Sequence, residues 1–288
     1  MIDRVAYFLL KLVSIRNGHT HQRPCVFFLR FHVCARSILH LVFRILDVKL
    51  KEDVIMNYSD EYMNDLMVRM AHHSTAIEGN SLSLGETKSI LIDGYIPRAM
   101  NMRELHEVMN YKAFMPFLKK NIEHHIPLSL ELIKDIHAIL CKDAIESVPG
   151  QFKKIPNSVI GAEFTPTPPY MVPSALQDWI LNLEAQLQNA PDQQAKVEAI
   201  CRQHIAFERI HPFPDGNGRV GRALMVYTCM MEGIPPIVIS VDKRAEYINF
   251  LNTENVAGFT VYAGLLQQRE VERMQQDYTG IDISAPQK

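Results

Sequence analysis

From Glu61 to about residue 275 the apolar positions return at intervals of three and four, a periodicity that commits most of the chain to helices. Met63, Leu66, Met67, Met70, Ala71, Ser74 and Ile77 form one stripe, and Gly79-Asn80 supplies a stop, so this helix is expected to end at Glu78. Ser83 with Glu86 reads as a capping box opening a short helix that Gly94 closes. A helix follows over about 101–120, where Pro116 is expected to kink or end it. Ser129 caps a helix carrying Leu132, Ile133, Ile136 and Leu140, and Leu176, Ile180, Leu183 and Leu187 mark the next. Further helices are expected over about 192–210, 217–232, 242–254 and 259–275. Between Pro149 and Pro173, six prolines, Gly150, Gly161 and the β-branched pair Val159-Ile160 exclude a helix and predict a short hairpin within a loop. The fold class that results is all-α, one domain over about 56–278 with a single small β-hairpin.

Residues 1–55 are different in kind. They hold nine lysines and arginines, from Arg4 to Lys51, against the acids Asp3, Asp47, Glu52 and Asp53. Their apolar runs, such as Val5–Leu10 and Ile38–Phe43, stop well short of the ~18 residues a membrane span needs. No small-residue cleavage pattern follows Arg4 and Lys11, which argues against a secretory signal. The segment reads as a peripheral helical extension, or as sequence upstream of a start at Met56. Over the whole chain, 30 basic residues balance 32 acidic ones, leaving no basic footprint for nucleic acid. Cys25, Cys34, Cys141, Cys201 and Cys229 form no CxxC pair and no even-numbered framework, as expected of reduced thiols in a cytoplasmic protein.

The chemistry is concentrated between two of the late helices, in His211-Pro-Phe-Pro-Asp215-Gly-Asn217-Gly-Arg219-Val-Gly-Arg222. Gly216 and Gly218 let the main chain approach an anion where a helix begins, and the exposed amides of that first turn favour phosphate. Arg219 and Arg222 are three residues apart, so both forks project near the same turn. Asp215 offers a hard carboxylate oxygen suited to Mg²⁺, which binds through one or two carboxylates together with the phosphates of a substrate. His211 is the natural general base. Other catalytic motifs are absent: there is no GxxxxGK(S/T), no GxSxG, and His106-Glu107-Val108-Met109-Asn110 lacks the second histidine of a zinc protease. An EF-hand reading of Asp215 to Arg219 fails because Val220 and Val226 stand where glycine and glutamate are required.

The stretch His211 to Arg222 resembles the Fic signature HxFx(D/E)GNGRxxR, with every specified position filled. Such a match arises by chance with a probability on the order of 10⁻¹⁰ per start site. The resemblance covers most of residues 60–275. It implies a protein adenylyltransferase that uses ATP and Mg²⁺ to place AMP on a serine, threonine or tyrosine hydroxyl of a target protein, releasing pyrophosphate. His211 would be the catalytic base, Asp215 the metal ligand, Gly216, Asn217, Gly218, Arg219 and Arg222 the phosphate site, and Phe213 an anchor under the loop. Gly218, where the Doc-like branch carries lysine, implies AMP transfer over phosphate transfer.

Ser74-Thr-Ala-Ile-Glu78-Gly79-Asn80 is similar to the inhibitory motif (S/T)xxxE(G/N) of one Fic class, in which the glutamate pairs with the second signature arginine, here Arg222. Tyr247 and Asn255 stand where Fic proteins contact adenine, although Ile248 replaces a second tyrosine found in some members. Gly150-Gln-Phe152-Lys153-Lys154 resembles the start of the Fic flap, many members having arginine in place of Lys153. Ile155, Val159 and Ile160 would then line a flap that holds the target by edge-strand addition. His204 is read as a buried structural histidine. The resemblance divides the chain into the extension 1–55, an inhibitory helical region 56–100, a catalytic domain 101–278 and a tail 279–288, and it suggests a homo-oligomer. Two other functions fit the same residues: the reverse reaction, with Glu78 orienting water against an AMP-protein bond, and a non-catalytic module that senses nucleotide.

Overall fold

The structure, a computed structural model, describes residues 58–159 and 164–279, with side chains through residue 275. The expectations for residues 1–55, Ile160 and the tail from 280 lie outside the described residues. Nine α-helices are seen among those that are described: α1 (Asp60–Ile77), α2 (Leu84–Lys88), α3 (Met102–Glu123), α4 (Leu130–Leu140), α5 (Val172–Gln188), α6 (Gln193–Ile210), α7 (Asn217–Met231), α8 (Arg244–Thr253) and α9 (Val256–Thr279). No described residue lies in a strand, and the described part of the loop from Gly150 to Pro168 is irregular. The fold is all-α.

Capping residues fix most helix ends. Ser59, Ser129 and Asp192 accept a first-turn amide at the starts of α1, α4 and α6, and Ser83 with Glu86 forms the expected capping box of α2. After α2 the chain widens into a π-turn, Ser89–Asp93, and stops at left-handed Gly94. Pro116 neither ends nor divides α3, which runs on to Glu123. Both Pro116 and Lys112, whose carbonyl the proline cannot serve, lie on the exposed side of the helix, where solvent can take over the lost bond.

α6 is central, packed against α5, α7 and α9, while α1 lies across α3 and also meets α7 and α9. Leu66 of α1, Val108 of α3, Ile133 of α4 and Val220 of α7 are all fully buried in one hydrophobic cluster, so the segment ahead of residue 100 shares its core with the segment beyond it. A buried polar pair fastens α1 to α9: Arg69 donates twice to Glu270, at 2.6 and 3.0 Å, and the Tyr62 hydroxyl donates to the same carboxylate at 2.9 Å. Removing one partner of such a pair strands a buried charge at a cost of about 3–5 kcal/mol. α1 therefore presents its C-terminal end, Ser74 to Glu78, to the start of α7 from a fixed position. No described helix is long and apolar enough to cross a membrane.

Candidate active site

α6 ends at His211, which adopts left-handed φ 49° and ψ 60°. That conformation costs a residue with a Cβ about 1–2 kcal/mol. It turns the chain out of α6 into the loop that re-enters helix at Asn217. His211 Nδ1 lies 3.2 Å from the carbonyl of Glu208. A carbonyl can only accept, so Nδ1 carries the proton and Nε2 keeps a free lone pair. Burial is the main reason the imidazole pKa falls from 6.5 to about 4, with the Lys153 ammonium adding to the effect against the Glu208 carbonyl and the Glu78 and Asp215 carboxylates. The ring is thus neutral at pH 7.

Gly216 is left-handed at φ 80°, and a Cβ there would collide with the Cys141 sulfur. The Asn217 side chain closes the loop on itself: Oδ1 accepts from Phe213 N–H and Nδ2 donates to Phe213 O, both at 2.8 Å. Both ends of its amide are thereby committed to the main chain. Phe213 is fully buried, stacked 3.8 Å from the ring of His137. His137 Nδ1 accepts from Gly150 N–H at 2.7 Å, which leaves Nε2 to donate to Asp215 O at 3.0 Å. Burial lowers this imidazole to about 4, so it too is neutral.

Charge gathers over the first turn of α7. Arg219 is 1% exposed, yet its Nε and one terminal nitrogen have no hydrogen-bond partner. Its nearest acids are Asp215 at 3.5 Å and Glu107 at 3.6 Å, both beyond a strong charge-assisted bond. Asp215 is half exposed, faces Arg103 at 3.6 Å and borders a cavity of 500 Å³. Glu107 is buried and bonds Arg103 at 3.1 Å and Asn80 at 3.0 Å. Arg222 donates to Ser74 Oγ at 3.0 Å, to Ser74 O at 2.9 Å and to Glu78 Oε1 at 2.6 Å. The same Glu78 oxygen lies where a Cβ on Gly218 would collide with it, so the carboxylate sits directly above the N-terminal turn of α7.

The remaining expected site residues are placed less directly. Tyr247 is fully buried, its hydroxyl 2.8 Å from His204 and its ring 5.9 Å from the Arg222 guanidinium; it lies beneath the arginine. His204 is buried with it, as a structural histidine should be. Asn255 is exposed and caps α9 through Gly258 N–H at 2.9 Å. Ile155 is 75% exposed on the loop after Lys153, and Val159 is half-buried. Sequence reasoning missed His137, Glu107 and Asn157; each is far from the signature in the chain and meets it only through tertiary packing.

Residues 127–229 match the model of the Fic/DOC family, a span that includes α4, the 150–168 loop, the whole His211 to Arg222 string and most of α7. The chain carries a domain of the Fic/DOC family. Protein adenylyltransferase fic-1 of Caenorhabditis elegans is 31% identical over 218 residues, or 73% of this chain, and that of Caenorhabditis briggsae is similar at 31% over 219 residues. Protein adenylyltransferase Fic of Drosophila melanogaster is 30% identical over 189 residues. This chain spans 42% of the length of the two nematode proteins and 36% of the fly protein. Among solved structures, a Fic-domain signalling protein from Bacteroides thetaiotaomicron superposes with a TM-score of 0.70 at 22% identity, covering 84% of this chain and 99% of that one. Fic-1 of C. elegans superposes at 0.65 with 26% identity, covering 87% and 76%. This chain shares the all-α Fic fold of those two structures.

Proposed function

We propose that this chain transfers AMP from ATP to a hydroxyl side chain of a protein, and that Glu78 restrains the reaction. The observation that carries this reading is the buried, half-satisfied Arg219 at the first turn of α7, a turn that the Glu78 carboxylate covers as an anion would. Unpaired guanidinium nitrogens with low exposure call for an anionic partner, and a polyphosphate laid over the main-chain amides of residues 217–219, the Gly216 amide being held by the Asp215 carboxylate, supplies one. Asn217 would contribute its main-chain amide, its side chain being used to hold the loop. Arg222 would take a further phosphate oxygen once Glu78 withdraws.

His211 would accept the proton of the attacking hydroxyl at Nε2 while that oxygen bonds to the α-phosphorus and pyrophosphate departs. The neutral ring, which burial favours, is the competent form. Asp215 fits Mg²⁺ as a single half-exposed carboxylate; no cluster of acidic, histidine or cysteine residues among the described ones would hold a metal unaided, so a cation there would be shared with the nucleotide. When bound, Mg²⁺ supplies neutralisation of phosphate charge. Loop geometry and preorganised charge do the rest. The exposed bend around Ile155 is the surface on which a target segment would align.

The test is mass spectrometry for an adduct of about 329 Da, the transferred AMP moiety, after Glu78→Gly protein is incubated with ATP, Mg²⁺ and cell lysate. Adducts should appear with Glu78→Gly and vanish when His211→Ala is added, while ATP binding persists in both. Their absence across lysates and divalent metals would count against AMP transfer.

A further inference from the structure

Four consecutive carbonyls of the catalytic loop, Ile210 to Phe213, each meet a donor from one of two residues of an earlier loop, Phe213 O accepting from Asn217 Nδ2 as well. Lys153 Nζ donates to Ile210 O at 3.3 Å and its main-chain N–H to Pro212 O at 2.9 Å. Asn157 Nδ2 reaches His211 O at 3.5 Å and Phe213 O at 2.9 Å. The two donors are joined to each other, Lys153 Nζ to Asn157 Oδ1 at 2.6 Å. Lys153 is 3% exposed, and the partners of its ammonium are neutral oxygens. A lysine that served only to pack would be better replaced by methionine, since an ammonium buried without a carboxylate is a standing cost. Its chemistry is therefore tied to the carbonyls it holds.

What those carbonyls frame is His211, the residue in the left-handed conformation at the end of α6. Main chain in that region persists only where its surroundings over-determine it. Here the peptide groups on both sides of His211 are pinned from one direction, by a loop about fifty positions earlier in the chain. The same two anchors bracket the exposed bend Lys154 to Pro156, with Ile155 at its tip.

We propose that Lys153 and Asn157 are positioning residues for the transfer reaction: they hold the catalytic loop so that the His211 ring is aimed, and they fix the target-binding bend in register with it. This rests on the AMP-transfer reading above. One set of bonds would then set both the base and the surface that delivers the hydroxyl, so a target aligned on the bend arrives at a constant distance from Nε2. An error of ~1 Å in such an alignment is enough to cost ~10²-fold in rate.

The experiment uses the full chain carrying Glu78→Gly, with Lys153→Met, Lys153→Arg, Asn157→Ala or Asn157→Asp added. Asn157→Asp keeps the shape and removes both donors. Transfer should fall by roughly tenfold or more in kcat for Lys153→Met, Asn157→Ala and Asn157→Asp, with the KM for ATP within about threefold of the parent. Lys153→Arg, still cationic and rich in donors, should recover most of the rate. Separately, NMR titration of the His211 ring in nucleotide-free Lys153→Met protein should show its pKa raised, because the neighbouring ammonium holds it down. That measurement needs no activity, so it separates the two ideas: if the Glu78→Gly parent shows no transfer, the functional reading fails and the titration still judges the cradle. Folded variants, by thermal melts, with unchanged kcat would overturn the proposal. So would an unmoved His211 titration in Lys153→Met together with an unmoved His211 ring signal in Asn157→Asp.

Discussion

Replacing Glu78 by glycine should raise AMP transfer by about 10²-fold or more, the amount recovered when a ~1 Å misalignment of reacting groups is corrected. The structure sets both sides of this expectation. The Glu78 carboxylate lies 2.6 Å from an Arg222 nitrogen and over the α7 amides, so a triphosphate and this side chain cannot use the same volume. Loss of the carboxylate leaves Arg222 with its two bonds to Ser74, so the guanidinium keeps its place and gains a free donor. The fold should tolerate the change. Glu78 has an ordinary helical-side φ of −85° and its side chain is 41% exposed, but Arg222 is buried, so losing the carboxylate costs more than a surface ion pair, up to about 3 kcal/mol. Glycine adds an entropic cost of roughly 0.5–1 kcal/mol. A lower melting temperature with a much higher rate is therefore the expected signature. The assay is transfer of label from [α-³²P]ATP to the enzyme itself and to lysate proteins at saturating ATP. Glu78→Gln, which keeps the shape and drops the charge, should fall between the two, and Arg222→Ala should abolish the gain even with Glu78→Gly. Equal transfer by wild type and Glu78→Gly across metals and lysates would refute the competition argument.

Three further expectations follow from the same geometry. Because burial depresses His211 to about 4, kcat/KM should be level from near neutrality downward and decline only as pH falls through that value, when the base becomes protonated; a limb centred near 6.5 would show that the ring is not buried as described. Asp215→Asn should raise the Mg²⁺ concentration for half-maximal transfer, and Arg103→Ala, which frees the carboxylate from its 3.6 Å partner, should lower it; identical metal titrations would remove Asp215 as the ligand. A chain beginning at Met56 should fold and retain nucleotide binding, since α1 to α9 form one core beyond that point; an unfolded product by circular dichroism would assign the preceding residues to the core.

Much of the fold was legible because helical information is local. The stripe from Met63 to Ile77, the Ser83–Glu86 box and the Ser129 cap each contain their own evidence within a few residues. Pro116 departs from the local rule for a reason that is not local: whether a proline disrupts a helix depends on which side of it faces solvent. The site divides in the same way. The signature string announces His211, Asp215 and the arginines, but it does not say that Asn217 spends its side chain on Phe213 or that Tyr247 lies under Arg222. Lys153 stands out in the sequence only for its place in the string, and Asn157 carries no signal at all, because a lone amide in a proline-rich loop has many uses. Its contacts are separated from it by more than fifty positions.

His137 has the burial and the spacing of a core leucine on α4, and that helix alone would accept one. What forbids it is a demand made elsewhere. The ring must accept a hydrogen bond from Gly150 N–H and donate one to Asp215 O, and only one of its two neutral tautomers does both. The imidazolium, with two donors, would oppose the Gly150 amide head-on. The choice of residue at this position is thus dictated by two loops that α4 does not belong to, so substitutions that follow helical rules would leave α4 intact and unfasten the loop at Asp215 from the loop at Gly150.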